Sequence, residues 1–153
     1  MIASVLLVCR ANLCRSPLAE LMLAQASRTA GLAWQVDSAG TECLLPGLAP
    51  DPRVLALLPR GTVGEHRSRA VVAEDFTRFD LILAIDSRVM VALEELRPVM
   101  ATATLGYLGD YDAEGERDIA DPSSLVGDLP FRALQYHLQR CIAGLLKQQV
   151  GKG

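Results

Sequence analysis

Ser4-Val5-Leu6-Leu7-Val8-Cys9-Arg10-Ala11-Asn12-Leu13-Cys14-Arg15-Ser16-Pro17 is the stretch on which the reading of this chain turns. Ser4 to Val8 is a short aliphatic run with β-branched members, the pattern of a buried strand. Ser16-Pro17 then signals a helix, with serine as the N-cap and proline at the first helical position. Leu18, Leu21, Met22, Ala26 and Arg28 carry that helix to the neighbourhood of Gly31. Residues 9–15 therefore join a strand to a helix. Backbone N–H groups of such a loop point into a concavity, and the helix dipole adds positive potential, so the loop is a ready anion site.

Outward from this unit the same alternation continues. Trp34 to Asp37 reads as a second strand. Asp51-Pro52 repeats the cap-and-proline signal ahead of a helix over 53–58. Asp75 to Phe79 reads as a helical turn leading into Asp80 to Ile85, the clearest buried strand. Asp86 or Ser87 caps a helix to about Leu96, and Ala101 to Leu105 reads as a fourth strand. Residues 106–127 form a loop rich in Gly, Asp and Pro. Phe131 to Val150 is an amphipathic helix with Leu134, Leu138, Ile142 and Leu145 on one face. This order predicts an α/β fold: a doubly wound, four-stranded parallel sheet flanked by helices, in a single domain spanning 1–153. Ligands of such sheets bind at the carboxyl ends of the strands. The 9–15 loop and the loop around Asp121 both fall there.

With 153 residues, half of them hydrophobic, the chain can enclose one core, and a net charge of -3 argues against a nucleic-acid or membrane-surface partner. No run reaches the roughly 18 apolar residues of a membrane span. The first residues lack the basic region of a signal peptide. Cys9, Cys14, Cys43 and Cys141 make no disulfide framework, and with His66 and His137 isolated they make no metal site. These features predict a cytoplasmic protein with reduced thiols and no cofactor.

The placement of Cys9 suggests chemistry. A cysteine facing an anion nest has its thiolate stabilised, and that thiolate can attack phosphorus held in the same nest. Arg15 offers a planar fork for two phosphate oxygens, and Ser16 can donate its hydroxyl to the sulfur. C-x5-R alone is a weak signal; the strand before it, the Ser-Pro start after it and Asn12 within it add weight. The bland alternative is a small buried Cys9 at a strand end with Arg15 on the surface.

Val8-Cys9-Arg10-Ala11-Asn12-Leu13-Cys14-Arg15-Ser16-Pro17 resembles the V-C-x-G-N-x-C-R-S-P signature of the low-molecular-weight protein tyrosine phosphatases. The likeness extends to Asp37-Ser38-Ala39-Gly40-Thr41, to His66-Arg67-Ser68-Arg69, to Glu74-Asp75-Phe76 and to Asp121-Pro122. Leu48-Ala49-Pro50-Asp51-Pro52 is closer to the bacterial branch associated with exopolysaccharide tyrosine kinases. The resemblance implies a protein tyrosine phosphatase with Cys9 as nucleophile, Arg15 as phosphate ligand and Asp121 as general acid. Arg10, Ala11, Asn12, Leu13, Cys14 and Ser16 would hold the substrate phosphate. It further implies that His66, supported by Arg69, braces the loop through Asn12, and that Cys14 can form a protective disulfide with Cys9. The partner the resemblance implies is a phosphotyrosine protein, with a bacterial tyrosine kinase as the expected one.

Asp-Pro occurs twice. Capping explains Asp51 fully, which favours Asp121 as the acid. Ala11 stands where the family has glycine; if the position needs φ > 0 or close approach to phosphate, alanine costs about 1 kcal/mol or more. Ser123-Ser124 follow Asp121-Pro122 where the family has an aromatic residue, and the segment from Glu42 to Gly47 offers none. Tyr107 and Tyr111 are the candidates to replace that wall. Rival readings are a phosphoprotein-binding scaffold with weak turnover, a phosphoarginine phosphatase, against which bulky Leu13 argues, and an arsenate reductase, against which the absence of cysteine from Ile82 to Met90 argues.

Overall fold

A computed structural model describes residues 1–59 and 65–150. Strand β1 (Ser4–Cys9) is followed by α1 (Arg15–Thr29), β2 (Gln35–Gly40), the single-turn helices α2 (Pro52–Leu55) and α3 (Asp75–Arg78), and β3 (Leu81–Ala84). Then come α4 (Ser87–Leu96), β4 (Thr104–Tyr107), a 3-10 turn (Leu108–Tyr111) and the long α5 (Leu129–Val150). All strand pairs are parallel, in the order β2-β1-β3-β4. The doubly wound, four-stranded parallel sheet expected from the sequence is present.

Period-two alternation along the strands divides the apolar residues between two layers. Val5, Leu7 and Cys9 of β1 and Leu81 and Leu83 of β3 pack against Leu18 and Leu23 of α1 and Leu134, Leu138, Cys141, Ile142 and Leu145 of α5. Leu6 and Val8, with Ile82 and Ala84, pack against Phe76 of α3 and Val89, Met90 and Leu93 of α4. Each fully buried leucine contributes about 2 kcal/mol. The chain leaves β1 towards β2 on one side and reaches β3 on the other, so right-handed crossovers put α1 and α4 on opposite faces. The carboxyl ends of β1 and β3 diverge there, which opens the crevice that receives the 9–15 loop.

Several boundaries differ from those expected. Helix α1 is capped at Cys14, and Ser16 and Pro17 lie inside its first turn. Proline is tolerated there because first-turn N–H groups have no intrahelical partner. β2 runs on to Gly40 because it pairs with the whole of β1, up to Cys9 opposite Gly40. β4 begins at Thr104, the register partner of Leu81, while the amides of Thr102 and Ala103 turn to the Phe76 carbonyl. α2 stops at Leu55, and α5 begins at Leu129.

Two tight contacts fix the site's frame. A Cβ on Gly40 would stand 2.5 Å from the Arg10 carbonyl oxygen and 3.1 Å from the Asn12 nitrogen, so only glycine lets β2 lie against the loop. On the far side, the fully buried Asp112 carboxylate accepts from Arg140 at 2.9 and 3.2 Å and from the amides of Glu114 and Glu116, with His137 Nε2 at 3.2 Å. These bonds tie the segment leading to Asp121 onto α5. The Arg140 hydrogen bonds hold Asp112 down at about 2.

Gly40→Ala is expected to cost about 1–3 kcal/mol by overpacking against backbone that cannot yield; an unchanged urea midpoint would mean the loop shifts freely. Asp112→Asn is expected to cost about 1–3 kcal/mol at pH 7. Because folding lowers this carboxyl's pKa, its contribution is complete above about pH 4 and is lost as pH falls through about 2. The urea midpoints of variant and wild type should therefore converge in acid, and a gap independent of pH would refute the ionic account.

Candidate active site

The 9–15 loop owes its shape to Asn12, whose φ is 60°. A side chain in the left-handed region costs roughly 1–2 kcal/mol, and asparagine tolerates it best because its amide can bond locally. Here the amide is completely buried and bonds on every side. Nδ2 donates to Ser16 Oγ at 2.9 Å and to Ser38 Oγ at 3.0 Å, and Oδ1 accepts from the Arg69 amide at 3.0 Å. Ala11 is exposed and is not among the positive-φ residues, so its side chain carries no strain of that kind. The cost expected from a left-handed alanine does not arise, because the left-handed position is one residue later.

Cys9 sits buried at the end of β1. Its Sγ lies 2.9 Å from Ser16 Oγ and 3.3 Å from the Asn12 amide, which donates to it. The Ser16 hydroxyl faces the sulfur, as expected, and does not cap α1, whose N-cap is Cys14. Arg15 is buried, and its Nη1 donates to Asp86 Oδ2 at 2.7 Å and to the Ile119 carbonyl at 2.8 Å. The Nε and Nη2 edge of the fork carries no bond among the described residues. Burial would raise Asp86, but the Arg15 hydrogen bond and the Val89 amide outweigh it and hold the carboxylate below its usual range.

His66 and Arg69 are built into the frame rather than solvated. His66 Nε2 faces the Asn12 carbonyl at 3.3 Å, and Nδ1 faces Glu20 Oε1 at 3.1 Å. Ser38 Oγ donates to the same Glu20 oxygen at 2.6 Å. Arg69 spans Asp37 and Asp75, each at 3.0 Å.

A cavity of about 330 Å³ opens over the loop, lined by Cys9, Arg10, Ala11, Leu13, Cys14 and Arg15 and walled by Leu44, Leu45, Asp51, Asp121 and Ser123. Arg10 reaches outward to Glu42 at 2.7 Å. Both aspartates of the two Asp-Pro pairs border the cavity, in different states. Asp51 caps α2 and accepts three bonds from Arg53, at 2.8, 3.1 and 2.8 Å, which hold it below the usual carboxylate range. Asp121 is exposed and, among the described residues, accepts only the Ser123 amide, at 3.0 Å. Burial, with Asp121 and Asp51 nearby, pushes the Cys14 thiol up to about 12. Cys9 and Cys14 are free thiols here, and Cys141 packs in the core. Neither tyrosine replaces the aromatic wall. Tyr107 lies under the Arg117 guanidinium, and Tyr111 packs on the core.

Three residues of this frame, Glu20, Ser38 and Asp86, were not singled out in the sequence. Glu20 was within reach, since it lies four residues beyond Ser16 and shares its helix face. Asp86 was also within reach, because it caps a helix at the end of the strand facing β1 across the crevice. Ser38 lies just past the strand expected over 34–37, and its only signal was its place in the Asp37-Ser38-Ala39-Gly40-Thr41 likeness.

The family model described as low molecular weight phosphotyrosine protein phosphatase matches residues 4–153. Low molecular weight phosphotyrosine protein phosphatase 2 of Drosophila melanogaster is 37% identical over 150 residues, covering 95% of this chain and 92% of that protein. A low molecular weight protein-tyrosine-phosphatase of Streptomyces coelicolor is 38% identical over 122 residues, 75% of this chain and 74% of the relative. Among solved structures, DARP, a Drosophila arginine phosphatase, superposes with a TM-score of 0.89 at 32% identity, covering 97% of this chain and 98% of that one. The likeness runs through the strand, loop and helix that shape the anion nest and on to the last helix, and the chain belongs to the low molecular weight phosphotyrosine protein phosphatase family.

Proposed function

We propose that this protein hydrolyses phosphotyrosine in proteins through a cysteinyl-phosphate intermediate. The observation that carries the reading is Cys9 Sγ held by Ser16 Oγ and the Asn12 amide on the floor of a cavity that Arg15 and Asp121 share. The phosphate enters over the first turn of α1, whose amides and dipole favour an anion. The free edge of the Arg15 fork takes two of its oxygens, and Asp86 and Ile119 keep that fork from turning away.

The Cys9 thiolate attacks phosphorus. A sulfur–phosphorus bond forms as the bond to the tyrosyl oxygen breaks, and Asp121 gives its proton to that oxygen. Water then attacks phosphorus and loses a proton to the Asp121 carboxylate. The sulfur–phosphorus bond breaks, and inorganic phosphate and the thiolate are released. Ser16, donating to sulfur, stabilises the thiolate as attacker and as leaving group. Asp51 is unsuited to the acid's part, because three bonds from Arg53 keep it ionised. Asn12, with Ser38, Glu20, His66 and Arg69 behind it, presets the nest so that no reorganisation is needed as charge develops. Arg10, Ala11, Leu13 and Cys14 supply the rest of the loop around the phosphate.

The substrate this reading favours is a phosphotyrosine protein, with a bacterial tyrosine kinase of exopolysaccharide synthesis as the expected one. A cytoplasmic setting, which keeps Cys9 reduced, suits the chemistry. A second reading, phosphoarginine, draws on the aliphatic Leu44 and Leu45 walls and on the fold shared with an arginine phosphatase. Leu13 beside the phosphate favours the aryl ester.

Hydrolysis of p-nitrophenyl phosphate from pH 5 to 8 tests the chemistry. Cys9→Ser should abolish turnover, and Asp121→Asn should lower it, by less than the roughly 10²- to 10⁴-fold general-acid factor because p-nitrophenolate leaves readily without a proton. Undiminished turnover by Cys9→Ser would sink the mechanism. Paired phosphotyrosine and phosphoarginine peptides decide the substrate, and faster release from the latter would replace the first reading.

A further inference from the structure

The segment carrying Asp121 is anchored well at one end only. Just before it, Asp118 accepts from the amide and hydroxyl of Ser87 at 3.1 and 2.8 Å. The Ile119 amide donates to Ile85 at 3.1 Å, and the Ile119 carbonyl accepts from Arg15. From Asp121 to Gly127 the bonds are internal: Ser123 N to Asp121 Oδ1 and Leu125 N to the Pro122 carbonyl. Among the described residues, one hydrogen bond ties this stretch to the rest of the protein. Arg53 Nη2 donates to the Ser123 carbonyl at 3.0 Å.

Arg53 is itself held from two directions. Its guanidinium makes a two-pronged bond to Asp51 at 3.1 and 2.8 Å, and its Cζ lies 4.5 Å from the centroid of the Phe131 ring on α5. The Asp51 amide donates to the Leu13 carbonyl at 2.8 Å. A continuous chain of bonds therefore runs from the phosphate loop through Asp51 and Arg53 to the residue two positions after Asp121. A planar fork stacked on a ring can serve Asp51 and Ser123 at once; an ammonium cannot do so with the same geometry.

We propose that Arg53 is a positioning residue that registers the Asp121 carboxyl against the phosphate loop. The proposal rests on Asp121 being the general acid. Arg53 touches neither phosphate nor leaving group in this account; it limits how far the 121–127 stretch can move from Cys9. Misplacement by about 1 Å is enough to cost about 10²-fold in a proton-transfer step.

The test compares kcat/KM for phenyl phosphate, whose leaving group needs a proton, with that for p-nitrophenyl phosphate, whose leaving group needs it much less. The ratio of the two is independent of the fraction of enzyme correctly folded. Wild type, Arg53→Ala, Arg53→Lys, Asp121→Asn and the Arg53→Ala/Asp121→Asn double variant are measured at one pH. Arg53→Ala should lower the phenyl phosphate value about 10-fold or more and the p-nitrophenyl value by less. Arg53→Lys should recover part of the lost ratio, and the double variant should show the same ratio as Asp121→Asn alone. If Asp121→Asn shifts the ratio and Arg53→Ala leaves it at the wild-type value, the positioning role is wrong and the acid assignment stands. If Asp121→Asn itself leaves the ratio unchanged, the acid assignment fails and this proposal falls with it. An additive further shift in the double variant would show Arg53 acting on the leaving group by another route and would also overturn it.

Discussion

Everything in the site hangs on the left-handed turn at Asn12. A non-glycine residue at φ 60° is strained on its own, and the turn persists because the side chain that causes the strain also satisfies its surroundings. The same buried amide meets α1 through Ser16, β2 through Ser38 and the 65–70 segment through the Arg69 amide. Releasing any of these would leave a buried polar group unpaired, at about 1–3 kcal/mol each. The turn is thus paid for by bonds that also fix where Ser16 presents its hydroxyl to Cys9.

A second constraint crosses the crevice. Arg15 belongs to the β1 side of the switch point and Asp86 to the β3 side, and their bond closes the gap between them. Asp86 meanwhile caps α4 through the Val89 amide. Removing one partner of such a buried pair costs more than the pair contributes, since the remaining charge is stranded. The arrangement leaves half of the Arg15 guanidinium committed to protein and the other half for an anion. That division is a geometric requirement on a residue that must be rigid and still available.

The sheet and the loop were legible because both are written locally: a continuous apolar run, a turn, then a helical spacing. Cys9, Arg15 and Ser16 could be placed together from sequence alone. Two uses of the Ser16 hydroxyl, capping and bonding to sulfur, were both readable, and the start of α1 at Arg15 leaves the second. The extent of β2 was hidden because Ser38-Ala39-Gly40 has weak strand propensity, and pairing with β1 overrides it. β4 was misplaced for the related reason that its register is set by Leu81 on another strand. The part of the Ala11 penalty expected from a positive φ fails on a shift of one residue in the backbone, a detail below what spacing can resolve.

Two Asp-Pro pairs border one cavity, and their environments separate their parts. An acid must hold its proton until the leaving group needs it, and a carboxylate that accepts three bonds from one arginine is held below the usual range, away from that state. Asp51 is such a group. Its ionised state is useful nonetheless, because it keeps Arg53 fixed at the edge of the cavity, and Arg53 in turn reaches the Asp121 segment. Among the described residues Asp121 is left with a single amide bond and an exposed setting, its carboxyl otherwise uncommitted at the cavity edge. The Asp-Pro pair is the same at both sites, so what separates them is the context around it. The arginine two residues after Asp51, where a serine stands two residues after Asp121, is the sequence difference behind the two environments.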